Sequence, residues 1–309
     1  MSNKKYEFHN DLKAYANQKV PIIPAVLPFL QKLMSVLYIM EKSDQDVIVT
    51  SRKILSENGR STRVLTYDPV NAKKNGPALL VMHGGGFAFQ SAPHHFGMAR
   101  RMAKALGYKT FFVDYRLAPK HKFPAAPDDC FQVYQWLISH AKELEIDCTK
   151  IGVCGDSAGG NLATVVCLMA KDLGIQMPKA QMLIYPFVDR RMETNSIKIY
   201  TDTPMCNSED MKKYLQMYVK DVESAQTAYL SPIEAEELSG LPDTYIEVAE
   251  YDCLRDEGIA YGELLRQNSV NVEVHETFGA MHGYDIAEKS GLLKECMKNR
   301  VQFLKSTLQ

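Results

Sequence analysis

Ser157 lies within the octet Cys154-Gly155-Asp156-Ser157-Ala158-Gly159-Gly160-Asn161, a G-x-S-x-G pattern that can present a serine hydroxyl as a nucleophile. The requirement is steric. A side chain is thrust out at the top of a strand only through a sharp, strained turn, and small residues must flank it. Gly155 and Gly159 lack the Cβ atoms that would collide as the chain reverses, while Ala158 and Gly160 keep the surroundings slim. A pattern this short also occurs in ordinary Gly-rich loops, so its neighbours decide. The preceding Lys150 to Cys154 is a short run with β-branched residues and reads as a buried strand. Downstream, Ala158, Leu162, Val165, Val166 and Met169 recur at helical spacing. The order is therefore strand, turn, helix, and the helix start offers backbone N–H groups and a positive dipole end to developing negative charge.

His83-Gly84-Gly85-Gly86 follows a second apolar run, Ala78 to Met82. Three consecutive glycines leave backbone amides unshielded. Acyl transfer builds an oxyanion at the substrate carbonyl, and a fixed donor aimed at it is worth about 10² to 10³ in rate.

A serine nucleophile needs a base, and the base needs an acid to orient it. In serine hydrolases with this strand-turn-helix the order is serine, acid, histidine, with the acid and the histidine each just past a strand. Thr244 to Ala249 reads as a strand and leads into Glu250-Tyr251-Asp252-Cys253-Leu254-Arg255-Asp256-Glu257; Val272 to Thr277 alternates as another and leads to Phe278-Gly279-Ala280-Met281-His282-Gly283. Asp252 and His282 fall at the acid and base positions. Asp256, one helical turn on, reads better as a helix N-terminal charge, and Glu250 precedes the end of the strand. His9, His94, His95, His121, His140 and His275 have no Gly-flanked loop after a late strand and read mostly as surface or helix residues; His83 reads as shaping the glycine loop.

On these motifs the chain resembles the hormone-sensitive lipase family (bacterial family IV esterases) of the α/β-hydrolase superfamily. The resemblance runs over roughly residues 46 to 305 and includes Asp114-Tyr115-Arg116-Leu117-Ala118-Pro119, Phe123-Pro124-Ala125-Ala126, Tyr185-Pro186, Ser231-Pro232 and Leu241-Pro242, in the family's order. It implies Ser157 as nucleophile, Asp252 as acid and His282 as base. It also implies an oxyanion hole at Gly84, Gly85, Gly86 and Ala158, in which the amides of Gly85, Gly86 and Ala158 donate and Gly84 positions the loop. Lys120, Cys253 and Tyr284 depart from residues common in the family, which touches substrate preference rather than chemistry. Relatives without the histidine became small-molecule receptors, whereas His282 is present here.

The implied fold is an α/β-hydrolase, a mostly parallel sheet flanked by helices on both faces with a helical cap. The sequence divides accordingly into amino-terminal cap helices (1–45), a catalytic domain (46–188 and 230–309) and a cap insertion (189–229), where Met211, Leu215, Tyr218 and Val222 suggest a helix. Apart from a starting ribbon (47–55 and 60–67), strands are expected near 79–82, 110–114, 151–154, 181–187, 245–249 and 272–276. Between Pro21 and Met40 the chain turns apolar, but three prolines, Gln31 and Lys32 disfavour a membrane span of about 20 residues. Val26, Phe29, Leu30, Leu33, Leu37 and Met40 instead line one face of an amphipathic helix, expected to rest on an apolar surface.

With 309 residues and 46% hydrophobic composition the chain can bury one large core. A formal net charge of −1 provides no basic field for nucleic acid. Seven cysteines without a framework spacing predict reduced thiols in a cytoplasmic protein, and no His/Cys cluster has metal-ligand spacing, so neither metal nor cofactor is expected. The stretch from charged Met1 to Lys5 through Gln18 lacks the apolar core of a signal peptide. Membrane association is the less favoured reading, and a homodimer is left open. The expected activity is that of a serine carboxylesterase acting on short- to medium-chain acyl esters, with Phe87, Phe89, Phe187, Met205 and Met211 as apolar pocket residues. An amidase or deacetylase would use the same triad, and a non-catalytic receptor would bind a ligand without turnover.

Overall fold

Alternation along each strand sorts the core into two layers. In the computed structural model, which describes residues 6–55, 59–220 and 228–309, Leu80 and Met82 face one layer and Leu79 and Val81 the other. Strands buried on both sides in this way belong to a sheet covered by helices on both faces. The sheet has eight strands, β1 (Val47–Leu55), β2 (Ser61–Pro69), β3 (Gly76–Met82), β4 (Lys109–Asp114), β5 (Ile146–Asp156), β6 (Ala180–Ile184), β7 (Asp243–Tyr251) and β8 (Val272–Met281), in the order β1-β2-β4-β3-β5-β6-β7-β8. β1 and β2 pair antiparallel and β2 meets β4 antiparallel, while every pairing from β4 to β8 is parallel. The carboxyl ends of β3, β5, β7 and β8 therefore share one edge of the sheet, where loops gather.

The helices are α1 (Leu27–Met34), α2 (Leu37–Met40), α3 (Pro93–Leu106), α4 (Ala125–Ser139), α5 (Ala141–Leu144), α6 (Ala158–Asp172), α7 (Asn195–Ile199), α8 (Ser208–Tyr218), α9 (Arg255–Gln267) and α10 (Gly291–Leu308). α4, α6 and α9 supply one apolar layer, and α3 and α10 the other. α7 and α8 lie within the insertion after β6. α8 starts where the Asn207 side chain accepts from the amides of Glu209 and Asp210, with both acids in the positive first turn. Met211, Leu215 and Tyr218 are buried along it as the spacing predicts; Val222, the 221–227 part of the insertion and the charged start Met1 to Lys5 lie outside the described residues.

Two expectations are corrected. The strand expected over 181–187 ends at Ile184, because Tyr185 turns to φ +36° and Pro186 follows. The amino-terminal helix is two short helices, and much of its expected inward stripe is rotated outward: Phe29, Leu33 and Met40 are 69%, 59% and 63% exposed, while Leu27 and Tyr38 are buried and Leu37 packs half-buried against the core. A polar contact explains the rotation. The Gln31 amide donates to the carbonyls of Ala88 (2.6 Å) and Ala118 (2.7 Å), which requires the Gln31 side of α1 to face the protein. Among the described residues, no helix is long and apolar enough to cross a membrane.

Candidate active site

β5 delivers Ser157 at its carboxyl end, in a turn that only small neighbours allow. A Cβ added to Gly155 would lie 2.2 Å from the Gly159 carbonyl oxygen, and one on Gly159 would lie 2.1 Å from that of Met82. Ser157 itself has φ +54°, the left-handed region that non-glycine residues seldom adopt. Two backbone bonds hold the turn: the Ser157 amide donates to Ile184 (2.8 Å), and the Phe187 amide donates to Ser157 (3.2 Å).

The three residues singled out by order along the chain converge here. Ser157 Oγ lies 2.9 Å from His282 Nε2, and His282 Nδ1 lies 2.8 Å from Asp252 Oδ2. Asp252, directly after β7, is fully buried, and its Oδ1 accepts from the Leu254 amide at 2.9 Å. Burial pulls the His282 pKa down, but the charge of Asp252 and its hydrogen bond outweigh it, and the imidazole is pushed up to about 9. The rival acids are engaged elsewhere: Asp256 accepts from the Ser196 amide at 2.8 Å, and Glu250 from the Gly279 amide at 2.6 Å.

The glycine loop after β3 faces the same turn. The Gly84 amide is taken, donating to Asp156 Oδ1 at 3.0 Å, so of the four residues expected at an oxyanion site Gly84 anchors the loop rather than offering a donor. Among the described residues the amides of Gly85 and Gly86 donate no hydrogen bond, and Ala158, the first residue of α6, carries an amide that no helical carbonyl can reach. His83 shapes the loop as read from the sequence: its Nδ1 sits 2.7 Å from the Gly84 carbonyl oxygen, and its ring stacks on Tyr115 at 4.3 Å. A strand-turn nucleophile, a buried His-Asp pair and spare amides together can carry out acyl transfer.

A family model described as alpha/beta hydrolase fold matches residues 79–286. Esterase LipI of Mycobacterium tuberculosis is 37% identical over 209 residues, 67% of this chain and 65% of the relative, and carboxylesterase NlhH of the same organism is 35% identical over 72% of this chain and 70% of the relative. The chain belongs to the hormone-sensitive lipase family of α/β-hydrolase-fold carboxylic ester hydrolases. The match spans about two thirds of the length of these curated relatives. Among solved structures, an esterase from Pyrobaculum calidifontis superposes with a TM-score of 0.86 at 32% identity, covering 97% of this chain and 98% of that one.

The expected pocket residues of this family member divide. Phe87 is buried with its ring stacked on Tyr218 at 3.9 Å and its edge toward Phe187 at 6.1 Å. Phe89 meets Tyr214 edge-on at 6.1 Å, and Met205 borders Gly283, beside His282. Met211 is buried in the same apolar layer as Phe87 and Phe187. A cleft of about 730 Å³ between Asn71, Lys73, Tyr108 and Lys305 also borders Gly76, at the start of β3, and so lies at the opposite end of the sheet from Ser157.

Three residues near the site escaped sequence reasoning. Tyr214 of α8 lies over the glycine loop so closely that a Cβ on Gly86 would fall 2.4 Å from its ring. Asp156 stood in the octet without a role. His95, read with the surface and helix histidines, is buried on α3 with its Nε2 3.3 Å from Asp156 Oδ2. A signal did exist: an acid next to a nucleophile inside an apolar strand end must have a partner, because an unpaired buried carboxylate is costly.

Proposed function

We propose that the chain is a serine carboxylesterase that hydrolyses short- to medium-chain acyl esters through an acyl-enzyme. The observation that carries this is the continuous chain from Ser157 Oγ to His282 to Asp252, at 2.9 and 2.8 Å, beside two spare glycine amides. His282 Nε2 takes the Ser157 proton as Oγ attacks the ester carbonyl. The negative charge gathers on the carbonyl oxygen, facing the amides of Gly85, Gly86 and Ala158. Collapse breaks the bond to the alcohol, which leaves with the proton from His282. Water then attacks the acyl-Ser157 ester by the same route and releases the acid. Asp252 stays ionised, holds the imidazole tautomer and stabilises the imidazolium that forms in each half-reaction.

The short-chain reading rests on the aromatic wall. Phe87, Tyr218 and Phe187 interlock on one side, and Tyr214 with Phe89 lies over the loop, large rings that favour a compact acyl site. In this reading residues 1–45 and 189–229 form the cap over a catalytic domain made by the rest. Rates on p-nitrophenyl esters of increasing acyl length should peak among short to medium chains; fastest turnover on long-chain emulsified triacylglycerols would refute it. Gly86→Ala tests the loop. The new Cβ would collide with the Tyr214 ring at a backbone position with φ +60°, so kcat should fall by about 10² or more through displaced donors.

A further inference from the structure

We infer that Asp156, held by His95, is a positioning residue that sets the distance between the glycine loop and the nucleophile turn. The inference rests on the reading of Ser157 and the Gly85 and Gly86 amides given above. Asp156 is the last residue of β5, one step before Ser157, and is 5% exposed. Its two oxygens have different partners. Oδ1 accepts from the Gly84 amide at 3.0 Å, and Oδ2 faces His95 Nε2 at 3.3 Å. One carboxylate thereby ties the loop after β3 and helix α3 to the end of β5.

The His95 tautomer follows from its other nitrogen. The Ala92 amide donates to His95 Nδ1 at 2.9 Å, so Nδ1 carries a lone pair and the ring proton sits on Nε2, the nitrogen 3.3 Å from Asp156 Oδ2. His95 is thus a donor fixed by the first turn of α3, in the way that a backbone partner fixes the tautomer of a catalytic or metal-bound histidine. Burial pushes the Asp156 carboxyl up, but the contact with His95 Nε2 outweighs it and holds the group below the usual carboxylate range. The approach is also close enough to demand glycine at position 84, because a Cβ there would lie 2.3 Å from Asp156 Oδ2.

The spacing matters because the donors serve the transition state and not the bound ester. Gly84 is bonded to Asp156, and the next two residues carry the spare amides; moving Gly84 moves both relative to Ser157. An oxyanion donor works only when it is already aimed at the position the charged oxygen will occupy. A defect in this tether should therefore lower kcat and leave KM near its wild-type value. A defect in packing would affect folding without that division.

The experiment compares Asp156→Ala, Asp156→Asn, His95→Phe and His95→Gln for kcat and KM on a soluble p-nitrophenyl ester. It also measures inhibition by a trifluoromethyl ketone, which forms a tetrahedral adduct resembling the oxyanion. Asp156→Ala should lose about 10² in kcat with KM little changed, and the inhibitor affinity should fall in step with kcat/KM. Asp156→Asn keeps the acceptor for the Gly84 amide and should recover part of the loss. His95→Phe should resemble a milder Asp156→Ala, and His95→Gln, which can still donate to Asp156, should restore most activity. Equal kcat and equal inhibitor affinity in Asp156→Ala and wild type would overturn the inference while leaving Ser157 untouched. A wild-type enzyme that forms no adduct with the ketone would instead overturn the underlying reading of the site.

Discussion

Ser157→Ala lowers ester hydrolysis by about 10⁴ to 10⁶, the largest effect expected of any single change in this chain. The substitution removes one oxygen and little else. Ser157 Oγ has His282 as its bonded partner, while the backbone bonds from the Ser157 amide to Ile184 and from the Phe187 amide to Ser157 are made whatever the side chain. The turn and its strained φ persist, so the protein should fold and bind ester with unchanged affinity. What remains is the rate supplied by binding and by the loop amides acting on an attacking water. Circular dichroism matching wild type, alongside the lost turnover of a p-nitrophenyl ester, separates lost chemistry from lost structure. Turnover at the wild-type rate would remove Ser157 from the mechanism.

Asp252→Asn should cost about 10⁴ in kcat and also move the pH profile. The carboxylate accepts the proton on His282 Nδ1; an amide presenting its NH₂ there favours the wrong tautomer and puts a proton on Nε2, where Ser157 must deliver one. The pH dependence follows from the same pair. His282 acts as base only when neutral, and Asp252 pushes its pKa up to about 9, so kcat/KM should rise with pH from the ordinary imidazole range and level off near that value. Removing the carboxylate takes away the strongest opposing influence, so burial, the largest single effect on the ring and one that favours its neutral form, outweighs the weaker pull of Asp156 and Cys206. The acid limb of the residual activity in Asp252→Asn should therefore fall to or below the ordinary value of about 6.5. Stability carries the opposite sign. A histidine whose pKa is raised by folding contributes stability fully below its unfolded value, and this is lost as pH climbs through about 9. The thermal stability advantage of wild type over Asp252→Asn should shrink over that interval. An acid limb at the same pH in both proteins would contradict the coupling.

The local features were the legible ones. Gly155 and Gly159 flank Ser157 within five residues, and strand, turn and helix follow from spacing alone, so the nucleophile turn could be read without knowing the fold. Asp252 and His282 were legible because each comes just after a strand with its own apolar pattern. Contacts between distant segments were not. Nothing in the periodicity of α3 indicates that His95 faces Asp156, since a buried polar residue on a mostly apolar helix face looks like a surface one until its partner is known. Tyr214 over Gly86 is hidden for the same reason: its apolar neighbours on α8 predict burial but not what it covers. The face of α1 was misread because two hydrogen bonds from Gln31 outweigh an apolar stripe, and hydropathy does not count hydrogen bonds. Gly84 illustrates a finer limit. The triplet alone does not distinguish its three amides; it is the family resemblance that gives Gly84 the loop-positioning role, which its bond to Asp156 fits.

The central claim is that Ser157, deprotonated by His282, becomes acylated. Its most direct measurement is intact and peptide mass spectrometry after brief treatment with a fluorophosphonate, which phosphonylates a serine activated by a neighbouring base. The account predicts a single adduct on the peptide carrying Ser157, loss of ester hydrolysis in proportion to labelling, and no adduct in Ser157→Ala or, at matched times, in His282→Ala. An unlabelled Ser157 in active protein, or an adduct on another residue that tracks the loss of activity, would contradict it.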